Sequence, residues 1–132
     1  MAKGSLDKTG LRRHNRQRSE QKGRSAERLA EAILRLKGYR ICARRWKCKY
    51  GEIDIIASHK GVLIFVEVKR RHSIQSATEA VTWQNRRRIE QAASAYAQSR
   101  RLTPLPAFRF DIFTTTSWRQ WHHKEDAWRS GD

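Results

Sequence analysis

The stretch GEIDIIASHKGVLIFVEVKRR, from Gly51 to Arg71, places three acids inside two segments that otherwise have the composition of buried β-strands. Glu52 and Asp54 lie in the first segment, and Glu67 lies in the second. Burying an unpaired carboxylate is costly unless a cation compensates its charge. The stretch therefore predicts a positively charged group between these acids.

The two segments predict an antiparallel hairpin with strands at Glu52–Ala57 and Val62–Arg70. The linker Ser58–Gly61 is short, polar and ends in glycine, as hairpin turns commonly do. A turn over these four residues sets Ala57 opposite Val62.

This register decides which side chains share a face, because successive residues of a strand point to opposite faces. It sets Glu52 opposite Glu67 and makes Asp54 a diagonal neighbour of Glu67, with about 7–8 Å between their Cβ atoms. Lys69 points to the same face as these acids. The opposite face is predicted to be wholly apolar, with Ile53, Ile55, Ala57, Val62, Ile64, Val66 and Val68.

The paired acids predict a site for a divalent metal ion. Two carboxylates at this separation repel each other, and a cation between them removes the conflict. Carboxylate and carbonyl oxygens with several waters suit Mg²⁺ or Mn²⁺ and leave room for a phosphate oxygen. Asp54 and Glu67 are the predicted ligands, the carbonyl of Val68 is a further ligand, and Lys69 is placed to hold the attacking water. The alternative for Glu67 and Lys69 is a solvated face or a simple ion pair.

The chain is strongly basic, with 29 Lys and Arg against 13 Asp and Glu, a net charge of +16 and a pI of about 11.0. Such an excess predicts a polyanionic partner, most simply nucleic acid, and a merely basic or ribosome-associated surface is the alternative. Residues 1–22 are predicted to be a flexible basic arm. The residues predicted to bind the nucleic acid are Arg70, Arg71, Asn85, Arg86, Arg87 and Arg88.

The rest of the chain predicts one α/β domain over residues 23–128, with a short tail at 129–132. The longest apolar run, Val62–Val66, is far too short to cross a bilayer, so a cytoplasmic protein without membrane contact is expected. The further predicted elements are a helix at 25–37 that carries Leu36 on its buried stripe and ends at Gly38, a strand at 39–46, a helix at 82–99, a strand at 108–116 and an edge strand after Trp118.

Several motifs occur together in a known family: GRSAE at Gly23–Glu27 with Ala30 and Gly38, GEIDIIA at Gly51–Ala57, FVEVKRR at Phe65–Arg71, and RFDIF at Arg109–Phe113. Over about residues 23–114 the chain resembles the bacterial YraN family of uncharacterised proteins. That family is similar in its motifs to archaeal Holliday junction resolvases and to the PD-(D/E)XK restriction-endonuclease-like nucleases.

The resemblance implies a restriction-endonuclease-like sandwich, in which a central mixed β-sheet is flanked by helices. It implies that Asp54, Glu67 and Lys69 occupy the nuclease signature positions and that Glu27 is the helical acid that completes the metal site. Glu52 belongs to the shared motif, and its role stays open. The resolvase analogy also implies a homodimer, because a symmetric junction needs two paired cuts.

Two functions follow from this sequence. The first is a Mg²⁺- or Mn²⁺-dependent DNA endonuclease, structure-selective like the junction resolvases, and the second is a non-catalytic nucleic-acid-binding protein that retains the fold. Related sequences usually carry a Lys-Gln pair where this chain has Asn85 and Arg86. If that pair contacts phosphate or the attacking water, activity or substrate preference differs here. Of the five tryptophans, most are expected to pack in the core, and Trp83 is the one placed to stack on a base.

Overall fold

A five-stranded mixed β-sheet forms the centre of the protein in the computed structural model, which describes residues 21, 23–72 and 81–131. Strand order follows chain order, and neighbours are antiparallel except for the parallel pair β3 and β4. The strands are β1 (Arg40–Cys48), β2 (Gly51–His59), β3 (Val62–Arg70), β4 (Ala107–Thr115) and β5 (Trp121–Trp128).

Two helices flank this sheet: α1 spans residues 23–36, and α2 (Trp83–Ser99) lies between β3 and β4 in the chain. One apolar cluster joins α1 to the sheet and another joins α2 to it, so both faces of the sheet are buried. The predicted α/β architecture is confirmed, and β5 is the predicted edge strand. The predicted arm, apart from Gln21, lies outside the described residues, as does Asp132 of the tail.

Helix α1 presents small and aliphatic residues at four-residue spacing to the sheet, with Ala26, Ala30 and Leu34 buried. Gly38 caps its C-terminal end: φ is 90° there, and the Tyr39 N–H donates to the Leu34 carbonyl at 2.9 Å. Leu36, predicted on the buried stripe, is instead 85% exposed. That prediction is wrong because Leu36 lies two residues after the buried Leu34, and two residues of helix rotate the side chain by about 200°.

Helix α2 begins after Thr82, whose hydroxyl accepts the Asn85 N–H at 3.2 Å, and its bounds match the predicted ones to within one residue. Its buried residues are Ile89, Ala92, Ala93, Tyr96 and Ala97. Within the described ranges, neither helix combines the length and the apolar character that a membrane span requires.

The predicted register of the hairpin is wrong by two residues. His59 pairs with Val62 and Ile55 with Val66, so only Lys60 and Gly61 form the turn. Both have positive φ, 51° and 80°, as a two-residue turn of this twist requires. A shift of two residues does not by itself move side chains to the other face of the sheet.

Ile53 is the exception on the predicted apolar face. Ile55, Ala57, Ile64 and Val66 belong to the cluster beneath α1, whereas Ile53 packs in the cluster beneath α2. The alternation of β2 is lost next to Asp54, which lies opposite Arg45, because Trp46 pairs with Ile53 and Arg44 with Ile55. Arg45 has a φ of 47°, so the irregularity is shared by both strands.

Replacing Gly61 with alanine is expected to lower the free energy of unfolding by about 1 kcal/mol, because a Cβ is disfavoured at positive φ. Urea denaturation measures this change. Gly23→Ala is the matched control, because a Cβ at either glycine meets nothing within 4 Å and only Gly61 has a positive φ. The control should be neutral or stabilising in the helix, and equal losses at both positions would contradict the two-residue turn.

Candidate metal and phosphate site

The predicted metal ligands Asp54 and Glu67 are in contact where the pairing of β2 with β3 ends. The last backbone pair is Ile55 with Val66, and extending this register by one residue brings Asp54 level with Glu67. Beyond that pair, the Val68 N–H donates to Asp54 Oδ2 at 2.8 Å. The Glu67 carboxyl group hydrogen-bonds the Asp54 side chain. The structure thus joins the two acids more closely than the predicted diagonal arrangement did.

This contact places a proton on the pair at neutral pH. Burial, followed by the hydrogen bond and the negative charge of Asp54, raises the pKa of Glu67 from its ordinary value of 4.5 to about 9. The positive charge of Lys69 acts in the opposite direction. Two hard oxygen donors that share a proton form a donor set suited to Mg²⁺ or Mn²⁺, which would take the place of that proton.

Glu27 on α1 approaches the pair but is held by an arginine. Arg45 Nε donates to Glu27 Oε2 at 2.6 Å. Burial raises the pKa of Glu27 despite this hydrogen bond, and the negative charge of Asp54 adds to the rise. Among the residues that the structure describes, no group of three or more acidic, histidine or cysteine side chains is positioned to hold a metal. The donor set is therefore the carboxylate pair, with Glu27 nearby.

Glu52 lies at the exposed start of β2 and acts on the site through its charge. That charge raises the pKa values of both Glu67 and Glu27. Four acids of a chain with net charge +16 thus influence one another at one end of the sheet. Such a concentration of negative charge favours binding of a cation.

A first cleft of about 320 Å³, the α1 cleft, opens beside Asp54 between α1 and β1. Much of its positive charge is already paired, since Glu31 binds Arg44 and Glu27 binds Arg45. The hydrogen bond from Arg44 is the main reason why the pKa of Glu31 is lowered to about 2. The residues that line the α1 cleft are Arg24, Glu27, Arg28, Glu31, Arg44, Arg45, Asp54 and Ile55.

A second cleft of about 690 Å³, the β3 cleft, opens at the end of β3, and none of the described residues that line it is an acid. It contains Lys69 and the predicted phosphate-binding residues Arg70 and Arg71, and it adjoins the α1 cleft at Gly23 and Arg24. Its lining residues are Gly23, Val68, Lys69, Arg70, Arg71, His72 and Thr116. The carboxylate pair lies between the two clefts, because Asp54 lines the first and binds the Val68 N–H of the second. An anion is best accommodated in the β3 cleft.

Arg87 and Arg88 are exposed on the first half of α2. The side chain of Arg88 packs over the start of β2, since a Cβ on Gly51 would lie 2.8 Å from its Cδ. The Arg87 guanidinium lies 4.4 Å from the ring centroid of Trp83. The first half of α2 therefore lies at the same end of the sheet as the acids.

Asn85 and Arg86, the pair that departs from related sequences, are half-buried at the start of α2. The Asn85 N–H donates to the hydroxyl of Thr82, which caps the helix. Arg86 donates from Nε to the Val81 carbonyl at 3.2 Å, and its guanidinium faces the ring of Trp128. Both residues thus support the beginning of the helix.

A buried ionic network on β4 and β5 was missed from the sequence. Asp111, which has no exposed surface, accepts from Arg109 Nε at 2.9 Å and lies 2.7 Å from His123 Nε2. Burial acts to raise the pKa of Asp111, but these hydrogen bonds outweigh burial and hold it below its usual value. Lys37 Nζ, just after α1, lies 2.8 Å from His123 Nδ1. The network connects the segment after α1 to the sheet. The sequence signal for it was the spacing of Arg109 and Asp111, which are two residues apart on β4, as residues that share one face of a strand are.

Comparisons with known proteins identify a matching family. The model of the uncharacterised protein family UPF0102 matches residues 26–114, which include Glu27 and the whole hairpin. A UPF0102 protein of Mesorhizobium japonicum is 42% identical over 113 residues, which cover 86% of this chain and 90% of the relative. UPF0102 proteins of Nitrobacter winogradskyi and Brucella canis are 49% and 45% identical over 67% and 76% of this chain, and over 75% and 79% of their own.

Replacing Glu67 with glutamine is expected to flatten the pH dependence of stability in metal-free protein. Because the pKa of Glu67 is raised, the folded protein holds a proton that the unfolded chain releases. This stabilisation is complete below pH 4.5 and is lost as the pH rises towards about 9, by up to about 1.4 kcal/mol per pH unit. Urea denaturation in EDTA between about pH 5 and pH 8 measures the difference. Parallel curves for the wild type and the variant would contradict the shared proton.

Proposed function

We propose that this chain, which belongs to the uncharacterised protein family UPF0102, is a metal-dependent endonuclease that hydrolyses phosphodiester bonds in DNA. Family membership confirms the resemblance to the YraN family that the motifs indicated. The observation that carries the nuclease proposal is the contact between Asp54 and Glu67. Glu67 lies two residues before Lys69, which lines the β3 cleft together with other basic residues. A DNA substrate also implies action in the cytoplasm.

Asp54 and Glu67 are the proposed ligands of Mg²⁺ or Mn²⁺, and the carbonyl of Val68 is proposed as a third oxygen. The metal would supply Lewis-acid stabilisation of the charge on the phosphodiester and a more acidic bound water. The Val68 N–H fixes one oxygen of Asp54, which leaves the carboxylate in a defined orientation. Glu27 is proposed to complete the site, directly or through water, once it separates from Arg45.

Lys69 is proposed to hold the attacking water, because it lies on β3 two residues after Glu67 and its charge acts on that acid. Arg70 and Arg71 are proposed to bind the phosphates of the strand in the β3 cleft. Arg87 and Arg88, exposed over the start of β2, are proposed to contact the backbone from the other side of the acids. The resemblance implies products with 5′-phosphate and 3′-hydroxyl ends.

One observation favours the alternative of a non-catalytic nucleic-acid-binding protein. Glu27, which the resemblance assigns as the acid that completes the metal site, forms an ion pair with Arg45. Asn85 and Arg86 also replace the pair that is usual in related sequences and are engaged at the start of α2. The basic clefts serve binding equally under either function, so only metal binding and cleavage separate the two.

Replacing Glu67 with glutamine is expected to lower the rate of DNA cleavage by at least about a hundredfold, because it removes a negatively charged metal ligand. The assay compares duplex, single-stranded, flap and four-way-junction DNA with Mn²⁺, and calorimetry measures Mn²⁺ affinity independently. Asp126→Asn is the matched control: it removes one negative charge on β5, where Asp126 forms an exposed ion pair with Arg129.

The control variant should cleave and bind Mn²⁺ like the wild type. An absence of metal-dependent cleavage on every substrate, with DNA binding undiminished in Glu67→Gln, would favour the non-catalytic protein. Loss of cleavage in the control as well would show that net charge, and not the metal site, determines the rate.

Selectivity for four-way junctions, if present, requires two active sites related by symmetry. We therefore expect the full chain to sediment as a dimer on junction DNA and to make paired cuts. The measurement is sedimentation velocity with and without the junction. A monomer under both conditions would exclude a junction resolvase but would leave a simpler nuclease in place.

A further inference from the structure

The five tryptophans fall into two groups. Trp46 packs edge-on against Tyr96, Trp121 stacks on Phe113, and Trp128 stacks on Phe110, so these three complete the core or its edges. Trp83 and Trp118 are instead 55% and 71% exposed. These two indoles are therefore accessible to a binding partner.

Trp118 lies beside the β3 cleft. It belongs to the tight turn between β4 and β5, where the Thr116 and Ser117 N–H groups both donate to the Gln120 carbonyl. Thr116 lines the cleft with Lys69 and the two arginines that follow it, and two residues of chain span at most about 7 Å. A strand with its phosphates in the β3 cleft therefore brings its bases within reach of this indole.

Trp83 is the first residue of α2, on the face of the sheet opposite α1. Arg88, five residues later, packs on Gly51 at the start of β2, and five residues of helix rise only about 7.5 Å. The two exposed tryptophans thus belong to segments at the end of the sheet that carries Asp54 and Glu67.

Each exposed indole also has a guanidinium against its ring. The Arg87 guanidinium lies 4.4 Å from the Trp83 ring centroid, and that of Arg119 lies 4.8 Å from the Trp118 ring centroid. An aromatic ring with an adjacent cation is the arrangement that stacks on a nucleobase while the cation contacts the phosphate. The arginine at each ring favours a partner that carries negative charge beside an aromatic or apolar surface.

We propose that Trp118 and Trp83 stack on unpaired nucleobases at the end of the sheet that carries the carboxylate pair, so that the substrate is DNA with unpaired nucleotides at this site. In a continuous duplex the bases are stacked on one another and have no free face for an indole. The inference rests on the proposed function for the identity of the polyanion and is independent of cleavage.

The experiment measures DNA binding of the full chain in EDTA, where cleavage plays no part. Fluorescence anisotropy compares a labelled single strand, a blunt duplex of the same sequence, and that duplex with an unpaired arm. Trp118→Ala is expected to weaken binding of the first and third by about five- to a hundredfold and of the blunt duplex by less than about twofold. Trp83→Ala should show the same selectivity, and Trp118→Phe should retain most of the affinity.

Leu36→Ala and Leu105→Ala are the matched controls, because these side chains are 85% and 65% exposed and lie away from the acids, at the last residue of α1 and just before β4. They should bind all three DNAs like the wild type. Equal losses on the blunt duplex, no loss in either tryptophan variant, or no rescue by phenylalanine would overturn the proposal. If the protein cleaves DNA but the tryptophan variants bind it unchanged, stacking is refuted and the nuclease proposal stands. If the variants lose binding selectively but the protein does not cleave DNA, the nuclease proposal is refuted and stacking stands.

Discussion

The arrangement of the acidic end of the sheet depends on the hydrogen bonds of one carboxylate, that of Asp54. Where β2 and β3 cease to pair through their backbones, this side chain accepts the Val68 N–H and also bonds the Glu67 carboxyl group. The first bond holds the two strand ends together, and the second brings two acids into contact. Fold and site are therefore coupled, because Asp54 holds the ends of β2 and β3 together and also places its negative charge against the Glu67 carboxyl group.

That conflict is resolved within the protein by a proton on Glu67 and by opposite charges nearby. Lys69 opposes the rise in the pKa of Glu67, and Arg45 holds Glu27 across the α1 cleft. Acids in a cluster and bases around it form a site that attracts a cation at its centre and a polyanion at its rim. The same distribution explains why a chain with so few acids places four of them together.

Much of the fold was predictable because it follows from side-chain periodicity. The bounds of α2, the cap at Gly38 and the shared face of Glu67 and Lys69 each depend on residues close in sequence. The hairpin register was not predictable, because SHKG suits a turn of either four or two residues and the choice depends on whether Lys60 accepts a positive φ. Ile53 was misplaced because the alternation of β2 is interrupted beside Asp54, opposite Arg45 with its positive φ, and this irregularity involves both strands.

The sequence by itself determined which residues are candidates for the site, since acids within apolar strands and a lysine two residues after Glu67 are visible in the chain alone. Only the tertiary structure decided how they meet. It joined Asp54 to Glu67 directly, paired Glu27 with Arg45, and separated two exposed tryptophans from three packed ones. The physical reason is that these outcomes depend on strand register and on the approach of α1, α2 and the final turn to one end of the sheet. Periodicity fixes the face on which a side chain lies but not the partner it meets there.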